Sequence, residues 1–80
     1  MNIYTYYYGQ FKDKTKKLNE CIETKSKTIL ELYEELANKF DFQLKANEIL
    51  ISVNNENQTD LEYRLKDNDT IVFLHPMSGG

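Results

Sequence analysis

"TILELYEELANKF", Thr28 to Phe40, is the stretch on which the fold turns. Thr28-Ile29-Leu30-Glu31 has the form of a capping box, with Thr28 accepting from the backbone and Glu31 reaching back. Beyond it Ile29, Leu32, Tyr33, Leu36 and Phe40 recur at offsets 0, 3, 4, 7 and 11, which is one apolar stripe on a helix. Glu31, Glu34, Glu35 and Lys39 lie off the stripe, and Glu35 with Lys39 has the favourable i,i+4 order. A helix with one apolar stripe must bury it against something, so the flanking segments decide the architecture.

Those segments read as strands. Before the helix, Asn2 to Tyr8 is dense in β-branched and aromatic residues and is punctuated by Gly9. Gln10 to Lys17 is basic, with room for one short helical turn around Phe11, and a second, weaker strand follows near Leu18 to Thr24. After it, Asp41 to Glu48 is a connection, and Ile49 to Val53 is a strong strand ended by the turn-forming run Asn54 to Asn57. Thr59 to Leu65 fits a short edge strand or a turn of helix. Lys66 to Asp69 is another turn, feeding the strand Thr70 to Leu74, which Pro76 ends because it has no N–H for a ladder.

The order β, β, long α, β, a short element, β is that of an α+β two-layer domain, the β-grasp or ubiquitin-like fold. It is expected to be a single domain over residues 1–80, a small mixed sheet with one long helix on one face. The two terminal strands are then neighbours at the sheet centre, and residues 75–80 form a protruding tail.

One helix covers only one face of a sheet. Ile3, Thr5 and Tyr7 share one side of the first strand, and Tyr4, Tyr6 and Tyr8 share the other. Assigning Ile71, Phe73, Ile49, Ile51 and Val53 to the helix side leaves Tyr6, Tyr8, Val72 and Leu74, with Leu50 as a further candidate, on a face nothing in the chain covers. Tyrosine suits such a face, because it offers a large contact area and keeps a polar tip. That face, with His75 beside it, is the expected partner interface at the root of the tail.

Composition removes whole classes of function. The formal net charge of -3 argues against nucleic acid as the main partner. No apolar run approaches the ~20 residues that span a bilayer, and the first strand is too polar for a signal peptide, so no membrane partner and a cytoplasmic address are expected. The single Cys21 cannot form an internal disulfide and reads as a small buried hydrophobe. The run Lys12-Asp13-Lys14-Thr15-Lys16-Lys17 reads as a solvated loop, with a docking patch for an acidic partner, or RNA binding, as functional alternatives.

There is no P-loop, no nucleophile elbow and no zinc pattern, and His75 is the only histidine. Nothing suggests a bound cofactor, a metal or an enzyme acting on its own. What remains is the tail, His75-Pro76-Met77-Ser78-Gly79-Gly80, which holds two of the three glycines. It is either a frayed end or a segment whose terminal carboxylate is the working group. A Gly-Gly end threads a narrow channel and brings its carbonyl close to another protein's catalytic group. Such a carboxylate is activated by attack on ATP to give an acyl-adenylate. Displacement by sulfur gives a thiocarboxylate, and displacement by an amine gives a conjugate.

The stretches "YYYGQFKD" (Tyr6 to Asp13), "ISVNNE" (Ile51 to Glu56) and "LKDNDTIVFLHPMSGG" (Leu65 to Gly80) resemble the small, sulfur-carrier subunit of molybdopterin synthase. The resemblance runs over essentially the full length, and the tail is its most specific part. His75 stands where that family usually has a proline, Met77 where valine is usual, and Asn68 where glycine is common. The resemblance implies that Gly80 is adenylated by an E1-like activating enzyme that uses the ATP, and is then sulfurated to a thiocarboxylate by a persulfide relay. It implies that Pro76, Met77, Ser78 and Gly79 thread the active site of the large catalytic subunit. There Gly80 would give its sulfur to the pterin precursor, forming the dithiolene of molybdopterin. The implied complex is a heterotetramer, two large subunits at the centre and a small one at each end, in which this chain is the sulfur-carrying subunit of a sulfurtransferase.

Three rivals stand beside it. The thiamin-pathway sulfur carrier is also β-grasp and ends in Gly-Gly, but is usually shorter and lacks a proline near its end. A ubiquitin-like modifier shares the adenylate chemistry. A plain interaction domain would make the tail irrelevant.

Overall fold

The computed structural model describes residues 1–75. Strand β1 (Asn2–Tyr7) is followed by a short helix α1 (Gln10–Thr15), strand β2 (Asn19–Glu23) and the long helix α2 (Ile29–Phe40). Strands β3 (Leu50–Val53), β4 (Glu56–Asn57) and β5 (Thr70–Leu74) complete one five-stranded sheet in the order β2-β1-β5-β3-β4. The first and last strands are central and parallel, with Tyr4 opposite Thr70 and Tyr7 opposite Phe73, and the remaining pairings are antiparallel. This is the β-grasp arrangement. A parallel central pair requires a long crossover, and α2 lies in it.

The alternation expected of β1 and β5 is present. Ile3, Thr5 and Tyr7 are buried against the helix, and so are Ile71 and Phe73, with Ile51 and Val53 beside them from β3. The α2 stripe meets them with Ile29, Leu32, Tyr33 and Leu36, all buried, while Phe40 at its end is half-buried. A fully buried Leu such as Leu32 contributes about 1.5–3 kcal/mol over the exposed state. At one end of the sheet the core is aromatic. Phe11 meets Phe42 edge-on with centroids 4.9 Å apart, and Tyr7 stacks on Phe73 at 6.1 Å. Phe11 also lies 6.1 Å from Phe73, which ties α1 to the end of β5.

The ends of α2 depart from the simple capping box. Thr28 Oγ1 accepts from the Glu31 amide at 3.2 Å as expected, but the Glu31 carboxylate reaches past Thr28 to the Lys27 amide at 2.7 Å. The Ile29 and Leu30 amides donate to the carbonyls of Tyr63 and Leu61. The Thr59 to Leu65 segment is therefore neither strand nor helix. It makes one bridge, Arg64 with Thr28, and its carbonyls satisfy the orphan donors of the helix start. The expected Glu35–Lys39 pair does not form, because Glu35 accepts from the hydroxyls of Thr24 and Ser26.

Left-handed backbone is placed where asparagine tolerates it. Asn54 and Asn55, at φ 52° and 72°, form the two-residue turn between β3 and β4, the conformation that twisted hairpins favour. The run Asn54 to Asn57 is thus half turn and half strand. Asn68, at φ 71°, takes the turn position where glycine is common. The Connection Asp41 to Glu48 holds a 3₁₀ turn at Ala46–Glu48, and Ile49 packs on the core just ahead of β3 rather than within it.

Candidate functional site

Because Thr5 and Tyr7 turn toward the helix, Tyr4, Tyr6 and Tyr8 turn away from it. Register then assembles the open face in rows. Cys21 lies opposite Tyr4, which lies opposite Thr70; Tyr6 lies opposite Val72, which lies opposite Ser52; and Leu74 lies opposite Leu50. Tyr8 follows β1 and donates its amide to the Phe73 carbonyl at 3.3 Å, which places it in the row of Leu74 and Leu50. Tyr4, Tyr8, Leu50 and Leu74 are each 42–43% exposed, and Tyr6 and Val72 are half-buried by their neighbours. The expected residues Tyr6, Tyr8, Val72 and Leu74 do share one face, and Leu50 belongs with them.

Tyr4 belongs to this face as well, as its parity with Tyr6 and Tyr8 requires. Cys21 is a correction, because it is exposed and not a buried hydrophobe. The β1–β2 register decides it: Glu20 and Ile22 face the helix side opposite Thr5 and Ile3, so Cys21 is carried to the open face beside Tyr4. The hairpin phase was the missing signal, and a weak polar strand does not display it.

His75 is half-buried directly after β5, at the end of the sheet where Tyr8, Leu50 and Leu74 lie. Pro76, Met77, Ser78, Gly79 and Gly80 lie outside the described residues. Among the described residues no group of three His, Cys, Asp or Glu side chains is placed to hold a metal. No helix among them is long and apolar enough to cross a membrane.

Under the open face, at the same end, sits a polar chain that holds β1 to β2. The Tyr7 hydroxyl donates to Glu20 Oε2 at 2.6 Å and accepts from Thr5 Oγ1 at 2.9 Å, and Lys17 Nζ donates to Glu20 Oε1 at 2.9 Å. Burial pushes the Tyr7 hydroxyl well above the ordinary tyrosine range, and donation to Glu20 pushes it further. Burial alone would raise Glu20, but donation from Tyr7 and Lys17 outweighs it and holds the carboxyl below its usual value. Among the described residues the site is therefore an apolar face with tyrosine tips, backed by this hydrogen-bonded chain.

A model of the ThiS family matches residues 5–80. Among curated proteins none matches significantly. Among solved structures, the chain is similar to SAMP1 from Haloferax volcanii at 12% identity and a TM-score of 0.79, with 100% of each chain covered. It is similar, at 26% identity, a TM-score of 0.69 and 100% coverage of both chains, to a chain in the complex of subunits 1 and 2 of the molybdopterin-converting factor from Helicobacter pylori. A chain of the BexX/CysO complex from Amycolatopsis orientalis matches at 21% identity and a TM-score of 0.71, over 98% of this chain and 99% of that one.

Proposed function

The chain belongs to the ThiS family, and from that premise we propose that it is the sulfur-carrier subunit of a molybdopterin synthase, with the Gly80 carboxylate as its working group. The observation that carries the reading is the placement of the open apolar face, which runs out at Leu74, the last strand residue before the tail. A partner seated on Tyr8, Leu50 and Leu74 receives the following segment in its own active site. The likeness to a chain of the Helicobacter pylori two-subunit complex supports a protein partner of that kind.

In this reading one Gly80 carboxylate oxygen attacks the α-phosphorus of ATP on an E1-like enzyme and pyrophosphate leaves. A persulfide sulfur then attacks the acyl carbon, AMP leaves, and a second thiol cleaves the resulting acyl disulfide to free the thiocarboxylate. The large subunit takes that sulfur into the pterin precursor. This chain binds no cofactor for any step. Its contribution is a rigid platform and an end slender enough to enter two different channels.

The test is a mass spectrum of the protein purified from cells that hold its sulfuration machinery. The peptide carrying Gly80 must be sequenced, because oxidation of Met77 or Cys21 nearly matches the mass change of oxygen replaced by sulfur. A thiocarboxylate on Gly80 with the large subunit co-purifying is the expected result. An ordinary carboxylate, with activating enzyme and ATP supplied, overturns the proposal in favour of conjugation or plain binding.

A further inference from the structure

The lysine run that follows β1 has no part in the core or in the open face, yet the fold gives it a definite place. Lys12, Lys14, Lys16 and Lys17 are exposed on and just after α1, whose inward side is Phe11, 6.1 Å from Phe73. Lys16 caps α1 in the left-handed conformation at φ 62°, and two residues on, the Leu18 carbonyl accepts from the Tyr7 amide. Lys39, in the last turn of α2, joins them, with its ammonium 5.2 Å from the Phe40 ring and that of Lys17 5.7 Å from the same ring. Phe40 in turn packs edge-on to Tyr7, with centroids 6.1 Å apart.

Lys17 and Lys39 therefore meet over the Phe40 ring, and Lys12, Lys14 and Lys16 lie on and just after α1, at the end of the sheet at which β5 leaves for the tail. Half of the chain's 10 basic residues gather there, in a protein of net charge -3. Among the described residues only Lys17 has an ion-pair partner, Glu20. Asp13 and Asp41 lie beside them and Glu20 pairs with Lys17, yet five lysines against three carboxylates still leave this end positive in a chain of net negative charge.

We propose that Lys12, Lys14, Lys16 and Lys39 form a basic collar around the tail root that docks an acidic protein surface at the mouth of the channel that receives the tail, on the enzyme that activates Gly80. The inference rests on the sulfur-carrier reading and adds the partner's chemistry to it. A carrier must leave its activating enzyme promptly. Charged rims suit that need, because they speed encounter and fix orientation while adding less to residence time than apolar burial does. The Phe11 amide donates to the Tyr8 carbonyl at 3.2 Å, which joins α1 to the edge of the open face, so one partner engages both surfaces.

The test is ATP-dependent adenylation by the purified activating enzyme, read as pyrophosphate release at low and high salt. The wild-type chain is compared with the triple variant Lys12→Glu, Lys14→Glu, Lys16→Glu. The control is Lys25→Glu, Lys27→Glu, Lys66→Glu, which changes net charge equally at the opposite end of the sheet, where Thr24 and Asn68 bond to Met1 and Asn2. The collar variant is expected to raise KM by about tenfold or more at low salt with kcat nearly unchanged, and to lose most of its salt dependence. The control should leave KM close to wild type. Equal KM in collar variant and wild type, or equal losses in both triple variants, overturns the collar. Absence of pyrophosphate release from the wild type overturns the carrier reading itself, and the two failures are thereby distinct. Circular dichroism melts of all three proteins confirm that each is folded.

Discussion

Tyr7 links three parts of this structure. Its ring stacks on Phe73, its amide joins β1 to the start of β2, and its hydroxyl lies between Thr5 and Glu20. A buried hydroxyl needs such partners, because leaving it unpaired costs about 1–3 kcal/mol. Titration follows from the same contacts. Glu20 ionises more readily folded than unfolded, so its stabilisation is complete above its ordinary value near 4.5 and is lost as pH falls through the lower folded value. Urea denaturation across pH 2–6 should show that acid limb, and Glu20→Gln should flatten it. Tyr7 behaves oppositely. Its hydroxyl holds its proton to higher pH in the folded chain, so stability declines once pH passes about 10, where unfolded tyrosine ionises. Burial raises Tyr33 and Tyr63 as well, so Tyr7→Phe should weaken the alkaline limb without abolishing it.

At the scale of elements, short connections with unusual backbone position the site. Gly9 lies between β1 and α1 at φ 59° and ψ -127°, outside the region that L-residues enter readily. A Cβ there would meet nothing within 4 Å, so the penalty of substitution is backbone strain alone. Gly9→Ala should cost about 1–3 kcal/mol in denaturant titrations. Because Gly9 aims α1, relaxation there would also displace Lys12 and Lys14 and soften the collar. Helix capping was legible in the residues: Thr28 and Glu31 announced the start of α2 and its apolar stripe announced the buried side. The role of Thr59 to Leu65 was not legible. Its carbonyls meet Ile29 and Leu30 across a separation of about thirty residues, and a tertiary hydrogen bond leaves no periodic trace in sequence.

For the whole molecule, the division of labour is between two faces. The helix side is closed by the core, while the other face keeps Tyr4, Tyr8, Leu50 and Leu74 in contact with solvent. Residues that contribute to a partner rather than to folding should tolerate substitution in the free chain. Tyr8→Asp with Leu74→Asp should shift stability by no more than about 1 kcal/mol. The same pair should abolish capture of the large subunit in a pull-down. A large loss of thermal stability in the free variant would instead assign those side chains to the core. Likewise, deleting Gly80 should leave the melting temperature near wild type and remove all sulfur transfer.

Much of this protein was determined locally. Alternation in Ile3 to Tyr8 and Ile71 to Leu74, the stripe from Ile29 to Phe40, and the asparagines at tight turns depend on each residue's own neighbours along the chain. Period and steric preference write such features directly into sequence. The order of elements then left few topologies in which one helix closes one sheet face. Tertiary structure decided what depends on register. It carried Cys21 to the open face, sent Glu35 to Thr24 and Ser26 instead of Lys39, and brought Lys39 and Lys17 together over the Phe40 ring. A one-residue change of register exchanges the two faces of a strand, and residues far apart along the chain share an end of the sheet only after it has closed.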